Sequence, residues 1–139
     1  MELNTLYDLA EKENIKIYDW YLEDIDGMYL NYHNVNAIAL NYDRLGTYID
    51  EKCTLAEELG HYYMDATYPA SCTNTVLINK QEYRAKKWSY NTLVPFKSLR
   101  KAFSNGINTV YSLAEYFEVT EEYMRNCINF YTNKYGLIY

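Results

Sequence analysis

Glu57, Glu58 and His61 are the residues of this chain whose types and spacing could do chemistry. In the run Leu55-Ala56-Glu57-Glu58-Leu59-Gly60-His61, Glu57 and His61 stand four positions apart. On a helix both then project from one face, about one turn apart, with Glu58 beside them. That is a metal-ligand spacing. In the H-E-x-x-H pattern two histidines so placed hold zinc, and the Glu after the first histidine activates the attacking water. Here the first position is Glu57. A carboxylate oxygen is a legitimate zinc ligand, and two carboxylates with one imidazole neutralise a divalent ion. A less electron-poor metal acidifies water less, and oxygen-rich ligation tolerates harder ions such as manganese. Activity is therefore expected to be weaker or shifted to higher pH. The plain alternative is an ordinary exposed helix in which Glu57 pairs with His61. Gly60 speaks against it: a glycine inside a helix costs about 1 kcal/mol relative to alanine, and close approach of a strand or second helix would supply the reason.

Such a set needs a long helix to carry it. Leu45, Tyr48, Ile49, Cys53, Ala56, Gly60 and Tyr63 form one apolar stripe of about five turns, the expected spine of the core. Before it, residues 3–13 show helical spacing that stops at Asn14, and residues 15–18, 27–32 and 35–40 read as three short strands. After it, residues 67–80 hold Pro69, Ser71, Thr73 and Asn74 without a clear period and read as a surface loop. A helix is expected over about 81–92, and another from Pro95 to 104. Residues 110–117 and 120–135 read as two helices around a turn at Glu118-Val119, with Thr120 as N-cap. The expectation is a single α+β domain over residues 1–139: an N-terminal helix, a small, mostly antiparallel sheet and a helical body.

Composition narrows the function classes. The 139 residues carry a formal charge of −6, 18 tyrosines and three cysteines. An acidic chain with scattered Lys and Arg lacks the clustered cations that phosphate binding draws on, so no direct nucleic-acid contact is expected. Arg84, Lys86 and Lys87, the densest basic run, read as a solvated helix face. Cys53, Cys72 and Cys127 lie too far apart for a zinc knuckle and are odd in number, which suits reduced thiols in a cytoplasmic setting. The acidic N-terminal stretch does not read as a signal peptide, and no apolar run approaches the roughly 18 residues of a membrane span.

The run Leu55-Ala56-Glu57-Glu58-Leu59-Gly60-His61-Tyr62-Tyr63 resembles the L-A-H-E-L-G-H segment of the ImmA/IrrE metallopeptidases, which are common beside repressors of phages and mobile elements. Ala37-Ile38-Ala39-Leu40 is similar to the family's strand before that helix, and Glu82, Ala85, Trp88 and Leu93-Val94-Pro95 to its acidic, alanine-containing helix ending in L-x-P. Residues 112–120 resemble its closing helix-turn-helix. The likeness spans about residues 27–129 in the same order. It implies a zincin-like small sheet with a helical body and a helix-turn-helix-like cap.

The resemblance also implies a metal-dependent endopeptidase, with zinc the leading ion and manganese the other. Its substrate would be a protein such as a transcriptional repressor. Glu58 would be the catalytic base, and His61, Glu57 and Glu82 the metal ligands. Two departures stand out. Glu57 replaces the first histidine. Alignment on Pro95 puts the third, acidic ligand at Arg84, and Glu82 reaches that role only through a two-residue shift, about 200° of helix rotation. Asp65, one turn beyond His61, is the competing acid, and Glu82 is preferred. The competing function is a noncatalytic protein-binding module that kept the fold. A substrate segment is expected to lie along strand 35–40 as an edge. His33 reads as a turn residue, and Tyr62 and Tyr63 as core aromatics rather than oxyanion donors. The acidic terminal helix pair reads as a cap or substrate-docking surface, and a DNA-binding regulator is the weakest reading.

Overall fold

The computed structural model describes residues 1–136. Leu6 and Ala10 form the buried stripe of α1 (Leu3–Lys12). Asn14, at φ 58°, then turns the chain; asparagine tolerates this left-handed conformation because its short polar side chain can bond locally. Three strands follow, β1 (Lys16–Asp19), β2 (Gly27–Tyr32) and β3 (Val35–Leu40), in the order β1-β3-β2. His33 and Asn34, at φ 50° and 63°, make the two-residue turn between β2 and β3, the tight hairpin geometry that matches strand twist. His33 is thus a turn residue and stands apart from His61.

The sheet corrects two expectations. It is mixed rather than mostly antiparallel, since β1 runs parallel to β3 and β2 antiparallel to it. The strand at 35–40 is the middle one, not an edge. Its Ile38-Ala39-Leu40 run is buried without alternation, the pattern of a strand covered on both faces. Ile38 and Leu40 join the main core, and Tyr29 packs against it from the same side. Tyr18, Met28, Leu30 and Tyr32 are exposed.

Thr47 and Asp50 form a reciprocal capping box that starts α2 (Tyr48–Tyr63), three residues after the apolar stripe begins. The stretch read as a loop is helical from Thr75: Asn74 accepts the Val76 and Leu77 amides and opens α3 (Thr75–Leu93). Its first turns lie beyond the packed core and leave Val76 exposed, so no apolar period marks them. Pro95 precedes α4 (Phe96–Ser104). Thr109 caps α5 (Val110–Phe117), Glu118 turns the chain at φ 54°, and Thr120 caps α6 (Glu121–Tyr135). Leu55, Leu59, Leu93, Leu99, Leu113, Met124 and Tyr131 are fully buried where the helices meet. Among the described residues no helix is long and apolar enough to cross a membrane.

Candidate metal centre

The site is built on the seam between α2 and α3, and Gly60 decides how closely they approach. A Cβ on Gly60 would lie 2.2 Å from the Ala85 carbonyl oxygen, so only a glycine admits this contact. That is the second-helix approach the sequence called for. One residue beyond Gly60 is His61, and one turn before Ala85 is Glu82. His61 Nε2 lies 3.4 Å from Glu82 Oε2. His61 Nδ1 lies 2.6 Å from the Ala66 carbonyl; a carbonyl can only accept, so Nδ1 carries the hydrogen and Nε2 is the atom presented to Glu82. This is how ligating histidines are usually oriented, one nitrogen tied to a backbone acceptor and the other free to bind. Tyr68 donates its hydroxyl to Glu82 Oε1 at 2.6 Å, steadying the carboxylate from its other side. The Tyr29 ring runs parallel to the imidazole within 3°, with centroids 6.4 Å apart.

Electrostatics tie these groups together. Burial disfavours the charged form of His61, but the Glu82 hydrogen bond, the Ala66 carbonyl and the charges of Glu58 and Glu82 outweigh it and hold the imidazole above its ordinary pKa. The same hydrogen bond keeps Glu82 below the usual carboxylate range against the effect of burial. Burial raises Glu58, with the His61 charge opposing. Glu57 is pushed up to about 7 by burial, opposed first by Lys86.

The structure sorts the candidate residues. Glu82 faces His61, whereas the guanidinium of Arg84 donates to the Met64 carbonyl and to Gln81 Oε1. Asp65 sits past the end of α2 at φ 49° and is exposed. Glu58 packs against the start of β2, where a Cβ on Gly27 would come within 3.3 Å of its Cγ. Glu57 lines a cleft of about 380 Å³ with Asp26, Arg44, Cys53, Lys86 and Tyr123. Tyr62 and Tyr63 donate their hydroxyls to Glu13, at 2.7 and 3.5 Å, and Tyr63 stacks on Trp88.

Sequence reasoning missed Tyr68, and it read Lys86 as part of a solvated helix face, whereas Lys86 is half-buried and lines the cleft with Glu57. Tyr68 lies in an aperiodic stretch that offered no signal. Lys86 did carry one, standing four residues after Glu82 and so on the same helix face.

The Peptidase_M78 family model, described as the IrrE N-terminal-like domain, matches residues 10–129. The chain belongs to this peptidase family. No curated protein and no solved structure matches it. Membership in the M78 family points to metallopeptidase chemistry and so to a divalent ion. His61 and Glu82 suit one: an imidazole nitrogen and a carboxylate face each other, each oriented from behind. Glu57 does not complete the set, and among the described residues no three His, Cys, Asp or Glu side chains converge as a ligand group.

Proposed function

We propose that this M78 chain is a cytoplasmic metal-dependent endopeptidase that cuts a transcriptional repressor or similar regulator of a phage or mobile element. The observation that carries the reading is the His61–Glu82 pair, with Nε2 turned to the carboxylate and the half-buried Glu58 carboxyl feeling the charges of both. A divalent ion, zinc or manganese, held by His61 and Glu82 would polarise the scissile carbonyl and acidify the attacking water, and Glu57, which lines the neighbouring cleft, would have to turn toward the ion to be its third ligand. Glu58 would serve as the base that takes a proton from the attacking water and passes it to the departing amine as the C–N bond breaks.

β3 is paired on both sides, so the substrate strand belongs on the free edge of β2. Glu58 flanks that strand at Gly27, which brings an added strand past the base. In this reading β2, α2 and α3 form a zincin-like unit, and α5 with α6 is its helix-turn-helix-like cap. Membership in the family supports the chemistry, and the acidic charge of the chain suits a protein partner better than DNA.

A second reading, a noncatalytic module that binds the same partner, is favoured by Glu57 standing at the first ligand position and lining the cleft with Lys86. The two separate in co-expression with a repressor encoded beside the gene. The endopeptidase shortens the repressor, and Glu58→Gln keeps the complex while cleavage falls about 10²- to 10⁴-fold. A full-length repressor in a stable complex with metal-loaded wild type would overturn the endopeptidase and leave the binding module.

A further inference from the structure

The sheet has a second face that the candidate site does not use. Side chains alternate along a strand, so Ile38, Leu40 and Tyr29, which pack into or against the core, leave their neighbours on the other side. The register sets those neighbours in rows: Tyr18, Ala39 and Met28 in one, Lys16, Ala37 and Leu30 in the next, and Val35 with Tyr32 at the hairpin end. Tyr18, Met28, Leu30, Tyr32 and Val35 are all exposed. Contiguous exposed apolar side chains of this kind mark binding surfaces. The rows also give the face a shape. At its centre the middle strand offers only Ala37 and Ala39, between larger side chains on β1 and β2, so the face is a trough with an alanine floor. Its banks stand on strands two spacings, about 10 Å, apart, the width of an α-helix. One end of the trough is acidic. Asp19 and the connection that follows β1 expose Glu23 and Asp24 beside the apolar Trp20 and Tyr21. Asp26 is engaged by Arg44 at 2.9 Å, whereas Asp19, Glu23 and Asp24 join no ion pair among the described residues.

We propose that this outer trough is the docking surface for an amphipathic helix of a protein partner, its apolar stripe laid on the alanine floor and its Lys or Arg residues set against Asp19, Glu23 and Asp24. A helix stripe on an apolar sheet face is the ordinary way such a face is covered within a domain, and partner helices use the same physics between chains. The free acids select the basic flank. A second copy of this chain fits less well, because it brings the same acids and the same net charge of −6. The trough lies on the side of the sheet away from His61, whose ring runs parallel to that of Tyr29 on the core side. It therefore serves a peptidase and a binding module alike and needs no metal ion. β2 borders both the trough and the free edge of the sheet, so a helix held in the trough keeps the rest of its chain beside that edge.

The probe is a synthetic peptide of about four helical turns, with Leu at helical spacing and Lys elsewhere, titrated into the purified full-length protein in chelator. Amide NMR shifts should change in β1, β2 and β3 around Tyr18, Leu30 and Ala37 and leave α3 unmoved. Trp20 should become shielded from acrylamide quenching, while Trp88, stacked on Tyr63, is unaffected. Met28→Gln combined with Leu30→Gln should weaken binding about tenfold or more. Tyr18→Ser serves as a second variant on the opposite bank, and circular dichroism shows that each variant is folded. The same peptide with Glu in place of Lys should bind at least about tenfold more weakly, as like charges meet at the acidic end. No binding at about 1 mM peptide, shifts confined to other surfaces, equal binding by wild type and the folded variants, or equal binding of the Lys and Glu peptides would each overturn the proposal. A dimer in sedimentation that the Met28→Gln, Leu30→Gln protein fails to form would overturn it in favour of a second copy. Because every measurement is made in chelator, none of these outcomes alters the reading of His61 and Glu82.

Discussion

The C-terminal cap and the α2–α3 seam both bury polar side chains, and they do so in opposite ways. In the cap, Tyr131 is fully buried and donates its hydroxyl to the Val94 carbonyl at 2.7 Å, and Tyr123 donates to Ser89 Oγ at 2.9 Å. Burial pushes both phenols far above their ordinary range, so they stay neutral and satisfied. In the seam, Glu57 and Glu58 are acids that burial drives toward protonation, and neither joins an ion pair among the described residues. A neutral, satisfied group specifies packing and adds stability. A desolvated acid lowers stability unless something positive arrives. The C-terminal tyrosines are neutral and hydrogen-bonded, whereas the two seam acids are desolvated without an ion-pair partner among the described residues.

That contrast can be broken at several points. The largest effect on stability is expected at Gly60, where an alanine would drive its Cβ into the Ala85 carbonyl. Gly60→Ala should cost about 3 kcal/mol in urea unfolding, and because it separates the helices it should also weaken zinc binding. Retention of wild-type stability would show that α3 yields there.

The pH dependence of the metal-free protein comes next. A carboxyl with a raised folded pKa makes the native state hold protons that the unfolded state has released. The stability contributed through Glu57 therefore falls as pH rises from about 4.5 to about 7. His61, raised by its partners, adds stability below its ordinary pKa that is lost as pH rises through its folded value. Both act in one direction, so in chelator the melting temperature should decline between pH 5 and pH 9. A rising or flat profile would contradict the buried-acid description.

Single substitutions sharpen the comparison, because the two regions should respond with opposite signs. At pH 8 in chelator, Glu57→Gln should stabilise the protein by about 2 kcal/mol by removing the buried acid. In the cap, Tyr131→Phe should destabilise it by about 1 kcal/mol, because the Val94 carbonyl loses its buried donor. Denaturant titration of the two variants side by side reads both, and destabilisation by Glu57→Gln would erase the distinction.

How much of this was legible beforehand depends on the range of the interaction. The order of helices and strands could be read, because caps such as Thr120 and breaks such as Pro95 act within a few residues. The start of α3 could not, because its first turns touch no core and so carry no apolar period, although Asn74 was a usable cap signal. The place of β3 in the sheet was misjudged because pairing on a second edge leaves no local mark beyond an unbroken apolar run.

The sequence by itself determined that Glu57, Glu58 and His61 share one stretch of helix, and that Gly60 needs a close neighbour, since helical spacing and the cost of a helical glycine are local facts. Only the tertiary structure decided which acid meets His61. Arg84 turns to the Met64 carbonyl, Asp65 lies past the helix end, and Glu82 is carried to the imidazole by the Gly60–Ala85 contact. That choice depends on the rotation and depth of two helices against each other, set by packing between residues more than twenty positions apart, which no local pattern encodes.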